Sequence, residues 1–458
     1  MDLLVTFESG APLHRQLERQ LRDAIRAGRL RPGVTLPASR LLADELEVSR
    51  GVVVEAYSQL IAEGYLVARR GAGTVVAHGA GAGALRDVEG VEHAGGPARI
   101  RFDLRPGQPD YASFPRQRYL ASLGRAMRTL PDADLTYGDP RGTHQLRVAV
   151  SDYVGRVRAA VAEPDDVVIS AGLAHGLTNV WSALRERGAR RIGVEDPGWR
   201  WQVRTVEHAG LTAVPVPVDE HGLVVEALER LDVDAVTVTP AHHFPTGVVM
   251  SPGRRAALLE WARRRDALIL EDDYDVEYRY DREPVASLQG MDPEHVAFCA
   301  TTSKTLAPAL RLGWIVLPRR LVADVARQYA VTWASPPTLE QVAMAEFLAA
   351  GELDRHIRRT RRLYRDRRDA LIAALAEHLP QIQIEGEAAG LHLVGWLPSD
   401  ADEVAIVGAA RRRGVALHAI HRHCTCVAPL PPALIIGYAQ LPEPALRSAV
   451  RELAAVMG

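Results

Sequence analysis

Along the first 77 residues, the apolar positions follow a helical spacing and then an alternating one. Near the start an apolar residue recurs every four positions, at Leu13, Leu17, Leu21 and Ile25. This spacing predicts a helix with one core-facing stripe that ends near Gly28. The segment SRLLADELEVSRGVVVEAYSQLIAEGYLV predicts two further short helices, with Ser39 and Ser49 as N-caps and Gly64 at the end of the second.

The next segment, YLVARRGAGTVVA, alternates on both sides of Gly71 and Gly73, which predicts a tight hairpin. Three helices followed by a hairpin make a winged helix-turn-helix. Polar side chains stand at the helix starts and the hairpin, where such a module meets phosphates and base edges: Arg40, Ser49, Arg50, Arg69 and Arg70. A module used only for packing or dimerisation is the alternative, but the placement of the arginines favours DNA binding.

Beyond residue 77 the pattern changes twice. Residues 78–100 are rich in glycine and alanine without a sustained apolar period, which predicts a flexible linker. From residue 101 to 458, apolar runs alternate with helix-like stretches; the runs are VVIS at 167–170, RIGV at 191–194, AVTVTP at 235–240, ALILEDD at 267–273, VAFCATTSK at 296–304 and GWIVLP at 313–318. This alternation predicts an α/β domain with a mainly parallel sheet, whose ligand lies at the carboxyl ends of the strands.

Composition limits the classes of function. The chain has 458 residues and a formal net charge of −2, so any contact with nucleic acid requires a local basic patch. Three cysteines, Cys299, Cys424 and Cys426, are too few and too unevenly spaced for a disulfide framework or a four-ligand zinc site. With no signal-peptide pattern and no apolar run of membrane length, the sequence predicts a cytoplasmic protein.

One residue type is nearly absent. Lysine and arginine together number 55, and Lys304 is the only lysine, so the other 54 are arginine. The simplest account is a compositional preference for arginine that one lysine escaped by chance. The chemical account is that arginine stays protonated, whereas a buried lysine can lose its proton and attack a carbonyl.

The polar residues after the predicted strands decide between these accounts: Asp272, Tyr274, Thr301, Ser303, Lys304 and Arg311. Taken singly, Asp272 is equally well explained as a strand-end cap or a salt-bridge partner, and Tyr274 as a core aromatic. Together they supply what pyridoxal phosphate requires, which is an imine to a lysine, a carboxylate at the pyridine nitrogen, a hydrogen bond to the ring hydroxyl and a phosphate-binding cation. The set therefore predicts a cofactor site with Lys304 as the catalytic, covalently bound residue.

Both parts of the chain resemble known families. The stretch RLRPGVTLPASRLLADELEVSRGVVVEAYSQLIAEGYLVARRGAGTVV resembles the GntR family of bacterial winged-helix regulators. From about residue 103 to the end, the chain resembles the fold type I pyridoxal-phosphate aminotransferases, through YGDPRG at 137–142, SAGLAHG at 170–176, EDPGW at 195–199, HHFPTG at 242–247 and the SK and RLG motifs. This resemblance implies that Tyr137 reaches the cofactor phosphate of the neighbouring subunit, that Leu173 and Ala174 offer backbone amides to the same phosphate, and that Trp199 stacks on the pyridine.

As a whole, the chain resembles the MocR group, in which a GntR-type DNA-binding domain is fused to an aminotransferase-like effector domain. The resemblance implies a multidomain fold, with a winged helix-turn-helix at residues 1–77 and a fold type I domain at residues 101–458. It also implies a domain-swapped homodimer that binds double-stranded operator DNA. Pyridoxal phosphate, with or without an amino compound, would control that binding.

Three positions depart from the aminotransferase pattern. Phe244 replaces the asparagine that bonds the ring hydroxyl, which leaves Tyr274 or His243 to serve alone. Ile435 stands where an arginine normally clamps the substrate carboxylate, and Ala174 replaces a polar residue near the phosphate.

Loss of the carboxylate clamp favours a sensor over a transaminase. It also favours pyridoxal phosphate itself as the effector, as in the regulators of vitamin B6 synthesis within the group. Arg422 could supply a substitute cation, although a solvated loop arginine is the simpler interpretation. A working aminotransferase with an appended DNA-binding domain is the competing interpretation.

Overall fold

The computed structural model describes residues 6–7, 10–26, 29–69, 73–77, 100–281, 285–332, 335–386, 388–425 and 430–457. The chain divides into two compact units, Met1–Pro97 and Ala98–Gly458. Residues 78–99 of the predicted linker lie outside the described residues, as do Arg70, Gly71 and Cys426. Within the described ranges, no helix is both long enough and apolar enough to cross a membrane.

The first unit is a small helical module with a hairpin. Its described elements are α1 (Leu13–Arg26), α2 (Ser39–Glu45), α3 (Arg50–Ala62), β1 (Leu66–Arg69) and β2 (Gly73–Val76). The strands pair antiparallel, with Leu66 opposite Val76. Leu17, Leu21 and Ile25 of α1 are buried in one cluster with residues of α2 and α3, which confirms the predicted apolar stripe. The winged helix-turn-helix prediction is confirmed at the level of its elements.

The helix ends of this unit correct one prediction. Ala38 occupies the N-cap position of α2, and Ser39 is already the first helical residue, so the predicted serine cap is wrong. Burial of Leu42 and Ala43 sets the position of this short helix, because its start has no side-chain capping bond to fix it. Ser49 is the N-cap residue of α3 as predicted, although its hydroxyl makes no capping hydrogen bond.

The second unit is built on a large sheet and several small strands. Its described strands are β3 (Phe102–Asp103), β4 (Val167–Ser170), β5 (Arg191–Asp196), β6 (Thr212–Asp219), β7 (Gly222–Leu223), β8 (Ala235–Val238), β9 (Leu268–Asp273), β10 (Val296–Thr301), β11 (Gly313–Val316), β12 (Gln383–Glu385), β13 (His392–Trp396), β14 (Val415–Ala416), β15 (His418–Ala419) and β16 (Ala433–Gly437). Its described helices are α4 (Arg116–Thr129), α5 (His144–Arg158), α6 (Leu173–Glu186), α7 (Arg200–His208), α8 (Val225–Leu228), α9 (Pro252–Arg265), α10 (Arg319–Thr332), α11 (Thr338–Ala349), α12 (Glu352–His378), α13 (Glu403–Arg412) and α14 (Glu443–Met457).

The large sheet has the order β4-β11-β10-β9-β8-β5-β6-β7. The strands from β10 to β6 are mutually parallel, and β11 runs antiparallel to β10 and β4. All six predicted strands belong to this sheet, so the mainly parallel α/β fold is confirmed. Two strands of the sheet were missed, β6 and the two-residue β7. In β6, Pro215 and Pro217 interrupt the apolar run; they are tolerated because β7 pairs only with Val218 and Asp219, which leaves the outer side of β6 unpaired at the prolines.

Helices cover both faces of this sheet. Successive residues of β4 show the division, since Val168 packs with Trp181 of α6 and Tyr329 of α10, whereas Ile169 packs in a cluster with Phe347 of α11. Alternation along a strand therefore supplies both cores. This arrangement leaves the ends of the strands as the edge at which side chains can meet a ligand.

A second, antiparallel sheet was not predicted. It has the order β12-β13-β16-β15 and shares a core with α12, α13 and α14. Its central pair aligns Val394 of β13 with Ile435 of β16. The LIIGYA segment is therefore a buried strand, which fixes the surroundings of Ile435.

Candidate functional site

The carboxyl ends of four neighbouring parallel strands carry most of the predicted site. Asp272 is the penultimate residue of β9 and lies opposite Cys299 of β10, while Glu271 lies opposite Val238 of β8. The loops after β5, β8, β9 and β10 therefore leave the sheet at one edge. They bring together Asp272 and Tyr274 with Trp199 and Lys304, which lie 105 positions apart along the chain.

Lys304 lies in a closely fitted pocket. Its Nζ donates a hydrogen bond of 2.8 Å to the carbonyl oxygen of Gly107 and lies 5.8 Å from the centroid of the Trp199 ring. Burial lowers the pKa of Lys304, while Asp275 and Asp272 oppose that shift. Gly107 has a φ of 73°, which favours glycine, and a Cβ there would lie 2.9 Å from Nζ and 3.7 Å from the Trp199 ring.

Asp272 is buried and has one unused oxygen. Its Oδ2 accepts a hydrogen bond of 2.9 Å from Nε2 of Gln202, whereas Oδ1 has no hydrogen-bond partner in the described structure. Burial raises the pKa of Asp272 to about 7, with Asp273 adding to the shift. A buried acceptor without a donor costs about 1–3 kcal/mol, so Oδ1 is suited to a ligand that carries an N–H group and a positive charge.

The start of α6 forms a cradle at the same edge. Gly172 is its N-cap residue, with a φ of 84° and no side-chain cap, so the first amides of the helix have no side-chain partner there. Leu173 and Ala174 are its first two residues. Nη2 of Arg311 donates 2.8 Å to the carbonyl oxygen of Ala171, and a Cβ on Gly172 would lie 3.1 Å from Nη1. A helix N-terminus with an arginine against it is a site for an anion.

Two hydroxyls lie next to that cradle. Thr301 of β10 is opposite Gly313 of β11, and Gly313 is opposite Ser170 of β4. Because Ser170 leads directly into α6, Thr301 and Ser303 belong to the same corner of the sheet as Arg311. Oγ1 of Thr301 and Oγ of Ser303 are 2.9 Å apart.

An aromatic wall closes another side. Trp199 stacks on Phe244 with 3.5 Å between ring centroids and an interplanar angle of 10°, and it meets Tyr274 edge-on at 6.2 Å. Ile435 is fully buried in the cluster that contains Phe244, Tyr274 and Val394. The position expected for a carboxylate clamp therefore presents only apolar surface.

The two adjacent histidines of HHFPTG point in different directions. Nδ1 of His242 lies 3.2 Å from the hydroxyl oxygen of Tyr274. His243 instead places Nδ1 2.7 Å from Oγ1 of Thr246 and Nε2 3.6 Å from Glu195. The histidine beside Tyr274 is thus His242, whereas His243, the alternative to Tyr274 in the sequence analysis, faces Thr246 and Glu195. Turn geometry, which residue spacing does not reveal, decides which side chain faces the phenol.

Tyr137 is not gathered with these residues. Its side chain is 81% exposed and lines a small cavity of about 170 Å³ together with Gly138, Ser335, Pro336 and Gln341. Arg422 is also exposed, on the segment that follows β15.

The first unit presents three of its five predicted contact residues at its surface. Arg40 lies in the first turn of α2, and Ser49 and Arg50 begin α3; all three are exposed. Arg69 ends β1 opposite Gly73, and Arg70 lies outside the described residues. Because α3 buries its apolar face against α1 and α2, its start and its outer face are free to meet DNA.

Comparison with known proteins agrees with both units. Residues 13–76 match the family model for bacterial regulatory proteins of the gntR family, and residues 103–453 match the model for aminotransferase class I and II. The chain belongs to the GntR-family regulators that carry an aminotransferase domain.

Two relatives share this GntR-aminotransferase organisation along most of their length. The pyridoxine biosynthesis transcriptional regulator PdxR of Corynebacterium glutamicum is 34% identical over 89% of this chain and 88% of its own. The probable rhizopine catabolism regulatory protein MocR of Rhizobium meliloti is 32% identical over 98% of this chain and 95% of its own. Among solved structures, a multiple substrate aminotransferase from Thermococcus profundus is 25% identical with a TM-score of 0.69, covering 78% of this chain and 90% of that one.

Pyridoxal phosphate is the cofactor of the aminotransferase class I and II domain that residues 103–453 match, and the site described above has residues that fit it. Oδ1 of Asp272 would accept the pyridine N–H, and the start of α6 with Arg311 would hold the phosphate. Lys304 would bind the cofactor covalently, and Trp199 would contact its ring. When bound, the cofactor supplies an electron-withdrawing ring and a carbonyl carbon for amines.

Two functional residues of this site were missed from the sequence. Gly107, in RPGQPD, contacts Lys304 across 197 positions, and Gln202 contacts Asp272 across 70. Gln202 had a weak signal, since it follows Trp199 by three residues and so falls on the same face of α7 as the helix start.

Proposed function

We propose that this chain is a cytoplasmic transcription regulator that binds operator DNA through residues 1–77 and senses pyridoxal phosphate through residues 101–458. Residues 78–100 are the connection between the two. The effector is pyridoxal phosphate itself, and no amino compound is required. A relative of this organisation, PdxR, is named for pyridoxine biosynthesis, which supports a similar role here.

The observation that carries this choice of effector is the surrounding of Ile435. The side chain belongs to a buried apolar cluster with Phe244 and Tyr274. Among the polar rings around this cluster, His392 and His423 have centroids 5.3 and 4.8 Å from that of Phe244, and His418 lies opposite Ile435 in the sheet. Burial lowers the pKa of His392 to about 4 and that of His423 to about 3, so both are neutral near pH 7. A carboxylate placed against these neutral groups would lose its hydration without gaining a cation from them. Arg422, whose charge lowers the pKa of His418 and His423, is a cation that lies near them.

The effector is tested by titrating cofactor-free protein with operator DNA in three conditions: alone, with pyridoxal phosphate, and with pyridoxal phosphate plus amino acids or γ-aminobutyrate. We expect pyridoxal phosphate alone to change the DNA affinity about 5-fold to 100-fold, which is the usual range of coupling between two sites. Because linkage is reciprocal, operator DNA should change the cofactor affinity by the same factor. Amino compounds should add nothing further.

A response that appears only with an amino compound would show that Arg422 or another cation binds the carboxylate. The competing function, a working aminotransferase, has its own readout. Conversion of bound cofactor to pyridoxamine phosphate by a panel of amino donors would favour that function over a sensor.

The DNA-binding role is tested with Arg50→Ala and Arg69→Ala. Loss of the Arg50 side chain at the start of α3 should weaken operator binding by about 10-fold or more, because a base contact is worth about 1–3 kcal/mol. Arg69→Ala, in the hairpin, should weaken binding to all sequences alike and reduce the salt dependence. The visible spectrum of the bound cofactor should stay unchanged in both. Normal operator binding by both variants would exclude the first unit as the DNA reader.

A homodimer is part of the proposal, supported by Tyr137 and by exposed apolar side chains. Leu120, Met127, Leu135 and Val331 are each at least 60% exposed, and contact with a second subunit would remove such side chains from water. Tyr137 would then complete the phosphate site of the partner subunit, with domains exchanged between the chains. The same binding experiments report this as two chains per operator.

A further inference from the structure

The ring hydroxyl of the cofactor has lost one expected partner. In the aminotransferase pattern an asparagine stands before Pro-Thr-Gly, and Phe244 occupies that position here. Its ring stacks on Trp199, so it supplies an aromatic face and no hydrogen bond. Tyr274 is left to bond the hydroxyl, and other groups must orient it.

Those groups are His242 and Asp275. Nδ1 of His242 lies 3.0 and 3.2 Å from the two carboxylate oxygens of Asp275 and 3.2 Å from the hydroxyl oxygen of Tyr274. An imidazole Nδ1 carries at most one proton, and a carboxylate is a stronger acceptor than a phenol. Nδ1 therefore donates to Asp275, and the proton of Tyr274 points away from the imidazole. The phenol is thus available as a donor to a ligand.

The residues that pack around His242 and Asp275 hold both side chains in a buried position. The side chains of His242 and Asp275 are only 2% and 1% exposed. Gly390 packs directly on them, with a φ of 72°, and a Cβ there would lie 2.6 Å from Nδ1 of His242 and 2.7 Å from Oδ2 of Asp275. On another side, His392 lies 5.3 Å from His242 between ring centroids, and its Nε2 is 3.0 Å from the carbonyl oxygen of Pro245. Both side chains of the pair are therefore fixed in place.

The charged and titratable groups around Tyr274 and Lys304 are few in the described structure. Those that interact electrostatically with Tyr274, Lys304 or His242 are Asp272, Asp275, Glu195, His242, His243, His392 and Tyr438. Burial lowers the pKa of His243 to about 3, and the pKa of Glu195 is raised to about 8 by burial. Both are therefore uncharged at pH 7, and Tyr274 stays protonated because burial raises its pKa. Asp275 supports the positive charge of Lys304 together with Asp272.

We propose that His242 and Asp275 are positioning residues that replace the missing asparagine. Asp275 fixes the tautomer and orientation of His242, and His242 holds Tyr274 as a hydrogen-bond donor to the 3′-oxygen of the cofactor. Asp275 also places a negative charge beside the C=N bond between the cofactor and Lys304. The proposal rests on the cofactor site described above.

The two residues should shift the proton affinity of that C=N bond in opposite directions. A hydrogen bond from Tyr274 to the 3′-oxygen withdraws electrons from the ring, so losing it makes the nitrogen more basic. A neighbouring carboxylate stabilises the protonated nitrogen, so losing its charge makes the nitrogen less basic. If His242 and Asp275 had a purely structural role, losing one or the other would not shift this proton affinity in opposite directions.

The test is a pH titration of the visible absorbance of the full-length, cofactor-loaded protein. His242→Gln and Tyr274→Phe should each raise the midpoint by about one pH unit, and His242→Gln should add nothing in a Tyr274→Phe background. His242→Asn should resemble the parent, because its amide nitrogen stands near the position of Nδ1. Asp275→Asn keeps an acceptor for Nδ1 but loses the charge, and should lower the midpoint by about one pH unit.

The matched control is Asp292→Asn, which alters another Asp-His pair, with 3.1 Å between Asp292 and Nδ1 of His295. Its midpoint should equal that of the parent. If Asp275→Asn binds the cofactor with an unchanged midpoint, or shifts it in the same direction as His242→Gln, the proposal is wrong. Should His242→Gln fail to fold, Asp275→Asn decides the outcome. A parent protein without visible absorbance would instead overturn the cofactor site itself.

Discussion

Exchange of Lys304 for arginine is expected to abolish the visible absorbance of the cofactor-loaded protein. Arginine keeps the positive charge beside Gly107 and Trp199 but does not form a C=N bond with the cofactor, because it is not deprotonated in proteins. Absorbance spectra of parent and variant, recorded after incubation with pyridoxal phosphate, measure this loss. The far-ultraviolet circular dichroism of the variant should match the parent.

The composition of the chain makes the covalent site easy to locate. Lys304 is the only lysine, so its ε-amine and the α-amino group are the primary amines available. Borohydride reduction followed by peptide mapping should place the adduct on Lys304 in the parent and nowhere on that peptide in Lys304→Arg. An adduct confined to the α-amino group, or a parent that stays colourless after reconstitution, would contradict the assignment.

The second large effect is expected for Asp272→Asn, which should weaken cofactor binding by roughly 100-fold or more. The carboxylate has one free buried oxygen, Oδ1, and a cationic pyridine N–H would pair with it. Breaking a buried charge pair by removing one partner costs about 3–5 kcal/mol. Equilibrium titration with pyridoxal phosphate measures the change, and Asp369→Asn on the exposed side of α12 is the control with no expected effect.

The same substitution should stabilise the cofactor-free protein. Burial raises the pKa of Asp272 to about 7 in the folded state, above its ordinary value near 4. The unfolded chain therefore releases this proton first as the pH rises, so ionisation of Asp272 destabilises the fold between about pH 4 and 7, and the penalty persists above pH 7. Asparagine removes that penalty, so cofactor-free Asp272→Asn should gain roughly 1–3 kcal/mol at pH 8 relative to pH 4, by denaturant unfolding. Loss of both stability and affinity would indicate a structural role.

The order of elements follows from local pattern at many points. The four-residue spacing of α1 and the apolar runs of β4, β5, β8, β9, β10 and β11 depend on which residues lie within a few positions of each other. The strand β6 was not predicted because its two prolines interrupt the apolar run. The second sheet was not predicted either, because its strands β12, β13, β15 and β16 are two to five residues long and pair across distant segments.

Adjacent side chains show where local pattern stops being informative. His242 and His243 differ by one position, yet one faces Asp275 and Tyr274 and the other faces Thr246 and Glu195. Their directions depend on the turn they occupy and on the room left by Gly390. None of these contacts is encoded in the spacing of the HHFPTG motif.

By itself, the sequence determined the two-part organisation, the α/β character of the second part and the importance of Lys304. These conclusions rest on periodicity, which is a local property, and on chemistry that one residue type alone supplies. Only the tertiary structure decided that Gly107 closes on Lys304, that Gln202 holds Asp272, and that a buried Asp-His pair stands beside Tyr274. Each of these contacts joins loops that the sheet brings to one edge, and packing across tens to hundreds of positions, rather than local spacing, sets their geometry.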